Sequence, residues 1–409
     1  MPGIKTIMIV SLLVGFNTSV LLSQNADKTM IIIIDGARYS ETFGDPEHTH
    51  IPNMYSISQE GSIIDNFYND GITYTSRAIP ALWCGTWTEV RDTVYNGNST
   101  NHAVKPTLFE YYRQQKNLPS SECYYVLKYI ESLWLPSFDD GYGPEYWPEF
   151  HSVGENDNDV ANHVQFVMDN VKPHFIWVYL ADVDHAGHSS NWNEYIHTIQ
   201  NADSIVGVLW DKVQADPFYA NTTNLFVTND HGRHDNQHGG FTGHGCNCEG
   251  CRHIQFLAVG PDIKSGNIST KTRNIPDFAV TISHILELDP EQSTGNVMME
   301  ILNSTSIESN ISSHSQISNL KVHPNPFKKE THISFELNKC ADISVRIMDV
   351  NGKETRSFEI PPQTPGFKEI NWRGINNLGQ NIKPGVYYYL LVVNNEKIVG
   401  KLVKASNGQ

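Results

Sequence analysis

Apolar residues in this chain fall into short runs separated by longer amphipathic stretches. Met30 to Ile34 is wholly apolar and dominated by isoleucine. Such a run, without polar alternation, suits a strand buried on both faces. His174 to Leu180 and Leu225 to Thr228 share that texture, whereas Val160 to Val171 and Trp192 to Val213 read as helices. Strands alternating with helices over residues 27–302 predict an α/β domain with a mostly parallel sheet covered by helices on both faces. In such sheets ligands lie beyond the carboxyl ends of the strands. The pattern changes after residue 302. Residues 303–318 are rich in Ser and Asn and read as a linker. Beyond it, Asp342 to Val350 alternates apolar and polar positions, with a turn signal at Asn351-Gly352. Val386 to Val393 is a second such run, and Asn394-Asn395 can turn it back into Ile398 to Val403. Residues 319–409 are therefore expected to form a small all-β, Ig-like sandwich.

At the other end, Lys5 precedes an apolar run from Ile7 to Phe16, then Asn17, Thr18 and Ser19. This is the layout of a cleaved export signal, residues 1–24, with cleavage near Ser23 to Ala26. The alternative is an anchoring helix, for which the interrupted run is short. No Cys lies nearby, which argues against a lipoprotein.

The chain has 409 residues, enough for two domains, and 39% hydrophobic and 18% charged residues are ordinary for a globular protein. A formal charge of −16 argues against nucleic-acid polymers and anionic membranes as partners. It leaves a small anionic substrate open, because metal ions reverse the field locally. Six Cys in this length are not a disulfide framework.

Four segments carry acidic and imidazole groups in positions read as following a strand: I-I-I-I-D-G to Asp35; A-D-V-D-H-A-G-H with Asp182, Asp184, His185 and His188; N-D-H-G with Asp230 and His231; and H-G-G-F-T-G-H-G with His238 and His244. One Asp after a strand is more often a helix cap. Four such segments in one domain form a ligand set that suits zinc, with manganese or iron also accommodated. G-I-T-Y-T-S-R offers Thr73, Thr75 and Ser76 before a helix-like stretch. A hydroxyl there could serve as a nucleophile or merely cap the helix.

Taken together, these segments resemble the alkaline phosphatase superfamily, especially its phosphodiesterase and nucleotide-pyrophosphatase branch. The order D-G, T with Gly ten residues later (Thr75 and Gly85), D-x-x-G-H, D-H-G, and His before Gly260-Pro261 matches across roughly residues 28–290. The resemblance implies that Asp184, His188 and His244 bind one zinc, that Asp35, Asp230 and His231 bind the other, and that Thr75 is both a ligand and the nucleophile. Asp182 and His238 are the competing assignments. Arg77 is a candidate contact for a phosphate oxygen. The implied activity is hydrolysis of phosphate esters, diesters slightly ahead of monoesters, through a phosphorylated Thr75. The rivals are a phosphoryl transferase or mutase, and an inactive binding protein. Sulfatases share the fold but use C/S-x-P-x-R, which Thr75-Ser76-Arg77 lacks.

Val322 to Phe327, V-H-P-N-P-F, and the stretch from Trp372 to Tyr389 resemble the type A sorting domain of the bacterial type IX secretion system. That implies carriage through the periplasm and outer membrane, with the secretion machinery as a partner, to a secreted or cell-surface location. Two features stay open in the sequence. Residues 86–158, with Trp134, Tyr142, Tyr146 and Trp147, are expected to form an insertion over the site, its rings either stacking on substrate or lying in the core. Cys246, Cys248, Cys251 and His253 could form an extra zinc site, or one loop disulfide with a spare thiol.

Overall fold

The computed structural model describes residues 26–128, 134–303, 317–349, 352–394 and 396–406. The expected export signal lies outside the described residues, as do nearly all of the linker and Asn351 and Asn395 of the two expected turns. The chain forms two compact units, residues 1–303 and 304–409.

The first unit runs β1 (Lys28–Ile34), α1 (Pro52–Ser58), β2 (Ser62–Ile64), β3 (Phe67–Tyr68), α2 (Thr75–Cys84), β4 (Val90–Tyr95), β5 (Asn98–Ala103), α3 (Leu108–Lys116), β6 (Cys123–Leu127), β7 (Trp134–Leu135), β8 (Glu149–Ser152), α4 (Asp157–Asn170), β9 (Phe175–Leu180), α5 (Asp182–His188), α6 (Trp192–Ala215), β10 (Thr223–Thr228), α7 (Glu249–Arg252), β11 (Phe256–Val259), β12 (Asn267–Ser269), β13 (Arg273–Asn274) and α8 (Ile275–Ile285). Eight strands form the main sheet in the order β12-β2-β11-β10-β1-β9-β6-β8. Every pairing is parallel except those of β11, which runs against β10 and β2.

Strand β1 shows why its sequence lacks alternation. Ile31 and Ile33 point into a core shared with α2, α3 and α8, while Met30, Ile32 and Ile34 point into a second core shared with α1, α4 and α6. Both faces exclude water, so apolar groups are favoured at every position. The strand begins earlier than its apolar run because Lys28 also pairs in the sheet, its ammonium reaching Asp27 and the Thr222 hydroxyl.

Residues 86–158 divide: β4, β5 and β7 form a separate three-stranded sheet, while the rest builds the body of the domain rather than an insertion. That remainder supplies β6 and β8 to the main sheet and α3 to one of its covering layers. Trp134 and Trp147 are buried, and Tyr142 packs against the same core. Trp134 and Tyr142 therefore belong to the core, Trp147 is buried beside Phe138 and Phe150, and Tyr146 is half-buried.

The second unit contains β14 (Ile317–His323), β15 (Thr331–Leu337), β16 (Ala341–Asp349), β17 (Glu354–Gln363), β18 (Gly366–Trp372), β19 (Gly385–Val393) and β20 (Glu396–Lys404). They form antiparallel sheets of order β14-β15-β18 and β17-β16-β19-β20. Ile333, Phe335 and Trp372 from one sheet share a core with Val345, Ile347 and Leu391 from the other. Alternate residues of β15 are buried, the period expected of a strand with one covered face.

Candidate active site

Strands β9, β1 and β10 lie side by side, with Ile34 opposite Leu180 and Ile33 opposite Thr228. Their carboxyl ends therefore deliver Asp35, Ala181 and Asn229 to one edge of the sheet. Asp35 is buried, and one of its oxygens accepts a hydrogen bond from the Tyr179 hydroxyl. Gly36 follows with φ +72°, and a Cβ there would lie 2.8 Å from Asp184 Oδ1. The D-G pair thus lets a second carboxylate come close to the first.

Beyond β9 the chain enters α5 at once. Its first amides are held by the Asp157 carboxylate of α4, which accepts from Ala181 N at 2.9 Å and Asp182 N at 3.0 Å. Asp184 and His188 are four residues apart and share a helix face; His188 Nε2 is 3.2 Å from Asp184 Oδ2. Asp182, two residues earlier, points elsewhere. It accepts from Lys128 Nζ at 2.5 Å and from Asp157 N at 2.8 Å.

Asn229 organises the exit from β10. Its amide donates to Ala37 O and His231 O, both at 2.8 Å, and its side-chain oxygen accepts from Gln255 N at 2.9 Å. Asp230 and His231 are then fully buried. His231 Nε2 lies 3.5 Å from Asp35 Oδ1 and 3.5 Å from Asp230 Oδ2.

The fourth segment does not follow a strand. His238 and His244 lie in the loop between β10 and α7, and the strand after it, β11, is antiparallel. That loop folds back over the strand ends. His244 stacks on His231 with ring centroids 4.1 Å apart, and its Nε2 is 3.2 Å from His188 Nε2 and 3.7 Å from Asp184 Oδ1. His238 is exposed and held by Asp235 at 2.7 Å.

The imidazoles have a defined orientation. His231 Nδ1 is 2.8 Å from Gly232 O, and His244 Nδ1 is 3.0 Å from Thr73 O. A carbonyl only accepts, so Nδ1 carries the proton. In the neutral ring Nε2 is then a lone pair facing the carboxylates, the form that ligates a metal. Burial, followed by the nearby His231, pulls His244 down to about 4, so it is neutral at physiological pH.

Two of the three carboxylates, Asp35 and Asp230, lack a permanently charged partner among the described residues. Asp35 Oδ1 and both Asp230 oxygens are buried without a hydrogen-bond partner among the described residues. Burial pushes Asp230 up to about 7, and burial with the charges of Asp230 and Asp184 pushes Asp35 well above the usual carboxylate range. A buried carboxylate left in this condition costs several kcal/mol, on the order of ~3–5, unless a cation neutralises it. Asp35, Asp230 and His231 bring ligand atoms within 4.8 Å of one another, as do Asp184, His231 and His244. The donor set therefore fits divalent cations.

Thr75 opens α2, and Gly85 closes it ten residues later in the left-handed conformation, φ 63°, its N–H donating to Ala81 O. The step between the two residues is the length of the helix. Thr75 Oγ1 is 3.0 Å from His231 Nε2. The Thr73 hydroxyl is occupied, donating to Cys246 O at 3.0 Å. Arg77 is half-buried in the first turn of α2, with no ion-pair partner among the described residues.

Sequence reasoning missed Arg233, which directly follows D-H-G. It is fully buried and donates to Asp184 Oδ1, Phe241 O and Thr242 O. It ties α5 to the loop carrying His244. A Cβ at Gly187 would lie 2.4 Å from its Cζ, which accounts for the glycine in A-G-H. An Arg beside a run of acidic groups was the available signal.

Residues 29–244 match the family described as type I phosphodiesterase / nucleotide pyrophosphatase, and residues 321–405 match the secretion system C-terminal sorting domain. The first match covers more than half of the chain, so this protein belongs to the type I phosphodiesterase / nucleotide pyrophosphatase family, a family of phosphoester hydrolases of the metallo-enzyme type. The sorting domain marks it as exported, secreted or at the cell surface. No curated protein matches the chain. Murine ectonucleotide pyrophosphatase / phosphodiesterase 5 is similar in fold, at 13% identity and TM-score 0.51 over 68% of this chain and 100% of that one. A putative sulfatase from Bacteroides thetaiotaomicron is similar at 12% identity and TM-score 0.52, over 82% of this chain and 85% of that one. Such likenesses establish the alkaline-phosphatase-like fold.

Proposed function

We propose that the protein is a two-metal hydrolase of phosphate esters, diesters ahead of monoesters, acting through Thr75. The observation that carries the reading is the convergence of Asp35, Asp184, His188, Asp230, His231, His244 and Thr75 at the carboxyl ends of β1, β9 and β10, with three carboxylate oxygens buried and unpartnered. Asp184, His188 and His244 would hold one cation; Asp35, Asp230 and His231 would hold the other, with Thr75 beside it. Zinc suits this Asp and His set, and manganese or iron remains compatible with it. When bound, such ions supply charge stabilisation to the attacking and leaving oxygens of an in-line displacement.

The chain's own groups do the rest. His231, fixed by Gly232 O, places its Nε2 against Thr75 Oγ1, and the N-terminal end of α2 favours negative charge on that oxygen. Thr75 Oγ attacks phosphorus as its proton passes to solvent, the leaving oxygen departs and takes up a proton from solvent, and water then hydrolyses the phosphoryl-Thr75 ester and regenerates the hydroxyl. Arg77, two residues on in the first turn of α2 and half-buried without an ion-pair partner among the described residues, is the proposed contact for a phosphate oxygen. The position held by Cys or Ser in the sulfatase motif is Thr here, which supports phosphorus over sulfur. In the murine relative, a threonine-to-alanine variant is described as inactive and in complex with AMP, which supports a nucleotide-type ester among the substrates. Export is proposed to start from residues 1–24 and to proceed through the periplasm and the type IX machinery.

The test is a substrate panel of p-nitrophenyl phosphate, bis-p-nitrophenyl phosphate and a dinucleotide on the full-length protein, with the Thr75→Ala variant beside it. Turnover of the diesters that disappears in Thr75→Ala is expected. Turnover of none of the three, or equal turnover by the variant, refutes the reading.

A further inference from the structure

Outside the active site, His234, Cys246, Cys248 and Cys251 bring their ligand atoms within 4.8 Å of one another. His234 Nδ1 lies 3.0 Å from Cys246 Sγ, 3.3 Å from Cys251 Sγ and 3.9 Å from Cys248 Sγ, and the Cys246 and Cys251 sulfurs are 3.7 Å apart. We infer that these four side chains bind a zinc ion of their own, which clamps the loop that carries His244.

The spacing fits that ion. Tetrahedral zinc with Zn–S of ~2.3 Å and Zn–N of ~2.0 Å has ligand-to-ligand edges of about 3.5–3.8 Å. A disulfide would hold two sulfurs at ~2.05 Å, and all six cysteines are free. Three thiols and one imidazole select zinc among common divalent ions, the thiols each releasing a proton on binding. Cys248 and Cys251 are buried, and Cys248 N donates to Cys246 Sγ at 3.2 Å, the kind of bond that steadies a thiolate ligand.

The fourth partner is not the nearby His253. That ring is stacked between Tyr39 and Tyr68, at 3.7 Å and 4.7 Å, with Nε2 2.7 Å from Asp65 O. Asp235, another neighbour, is already engaged with His238.

The clamp would close a loop of which His234 is one end and Cys246 the other, with His244 two residues from the second. Cys246 O accepts from the Thr73 hydroxyl, and Thr73 O receives His244 Nδ1. The cysteine turn also packs on D-H-G: Gly232 N donates to Cys251 O at 2.9 Å, and a Cβ at Gly232 would lie 2.1 Å from Gly250 O. The four residues are thus positioning residues for His231 and His244. This site stands whether or not the catalytic reading above is right, because its thiolates distinguish it.

The experiment is cobalt substitution of the full-length protein, followed by absorption. A thiolate-to-cobalt charge-transfer band in the near ultraviolet is expected, saturating at one equivalent; carboxylate and imidazole ligands give none. The band should survive Cys340→Ser and the active-site change Asp230→Asn, weaken in Cys251→Ser, and vanish along with one zinc per chain when Cys246→Ser and Cys248→Ser are added to it. In Cys251→Ser, kcat should fall ~10-fold or more through displacement of His244. A band that keeps its full intensity in Cys251→Ser, or persists when all three cysteines are replaced, overturns the inference. So does its absence from the parent, or a Cys246–Cys251 disulfide in the secreted protein found by non-reducing peptide mapping.

Discussion

Replacing Gly187 by alanine sets two effects of opposite sign against each other. Gly187 lies inside α5, so helix propensity alone predicts a gain of about 1 kcal/mol. The new Cβ, however, would sit 2.4 Å from both Cζ and Nε of Arg233, well inside the ~3.5–4.0 Å of an ordinary contact. A free Arg would swing aside at little cost. Arg233 cannot, because it is fully buried and bonded to Asp184, Phe241 O and Thr242 O. Overpacking costs ~1–3 kcal/mol, and weakening a charged hydrogen bond adds ~1.5–3 kcal/mol. The steric effect wins, and the expected net loss is about 1.5–5 kcal/mol of stability. Shifting Asp184 and the 241–244 loop by ~1 Å should also lower kcat/KM by ~100-fold. Thermal unfolding and diester hydrolysis by the full-length variant measure both. In an Arg233→Ala background, Gly187→Ala should become neutral or stabilising, since the clash is gone and the propensity remains. A Gly187→Ala protein that melts at or above the parent with undiminished kcat/KM would refute the reasoning.

Thr75→Ala should fold, keep its metals and lose most turnover, while Thr75→Ser retains a substantial part; a phosphoryl label mapped by mass spectrometry to Thr73 or Ser76 would contradict this. Chelation should abolish activity, and re-loading should restore it in step with the bound ion counted by metal analysis. Burial holds Asp230 near 7 in the folded chain against an ordinary 3.8 and raises Asp35 as well, while His244 is held near 4 against an ordinary 6.5; the two carboxylates outweigh the one imidazole, so the metal-stripped protein should gain stability as pH falls from 7 towards 4. The metal-loaded protein should do the opposite, since protons displace the ion from its ligands; melting curves of both forms across that range decide it. A chain ended after Asn303 should keep catalysis but fail to leave the cell, as fractionation and assay of the culture medium would show.

Much of the fold was legible because the main sheet is buried on both faces. Burial makes Met30 to Ile34 uniformly apolar, and the covering helices repeat every 3.6 residues, so both leave local marks. The motifs of the candidate site were legible for a related reason. Asp184 and His188 need one helix turn, Thr75 and Gly85 need one helix length, and D-G, A-G-H and D-H-G each need a residue without a Cβ where chains approach. These constraints act over a few residues and are written there. The rings of residues 86–158 were harder, because Trp134, Tyr142 and Trp147 lie on a two-residue strand or in turns that leave no period, and their burial depends on distant partners. His234 could not be paired with Cys246, Cys248 and Cys251 from the sequence, which offers His253 two residues away instead. Only the folded loop turns His253 into the tyrosine stack and brings His234 back. Arg233 was hidden in the same way: its three partners lie on α5 and on the 241–242 loop. The sequence alone determined which chemical groups stand at the ends of β1, β9 and β10, because strand ends and short helix spacings are local. Which nitrogen faces the carboxylates, which oxygens lack a partner and which histidine joins the cysteines were decided by the tertiary structure, since hydrogen bonding and burial depend on segments far apart in the chain.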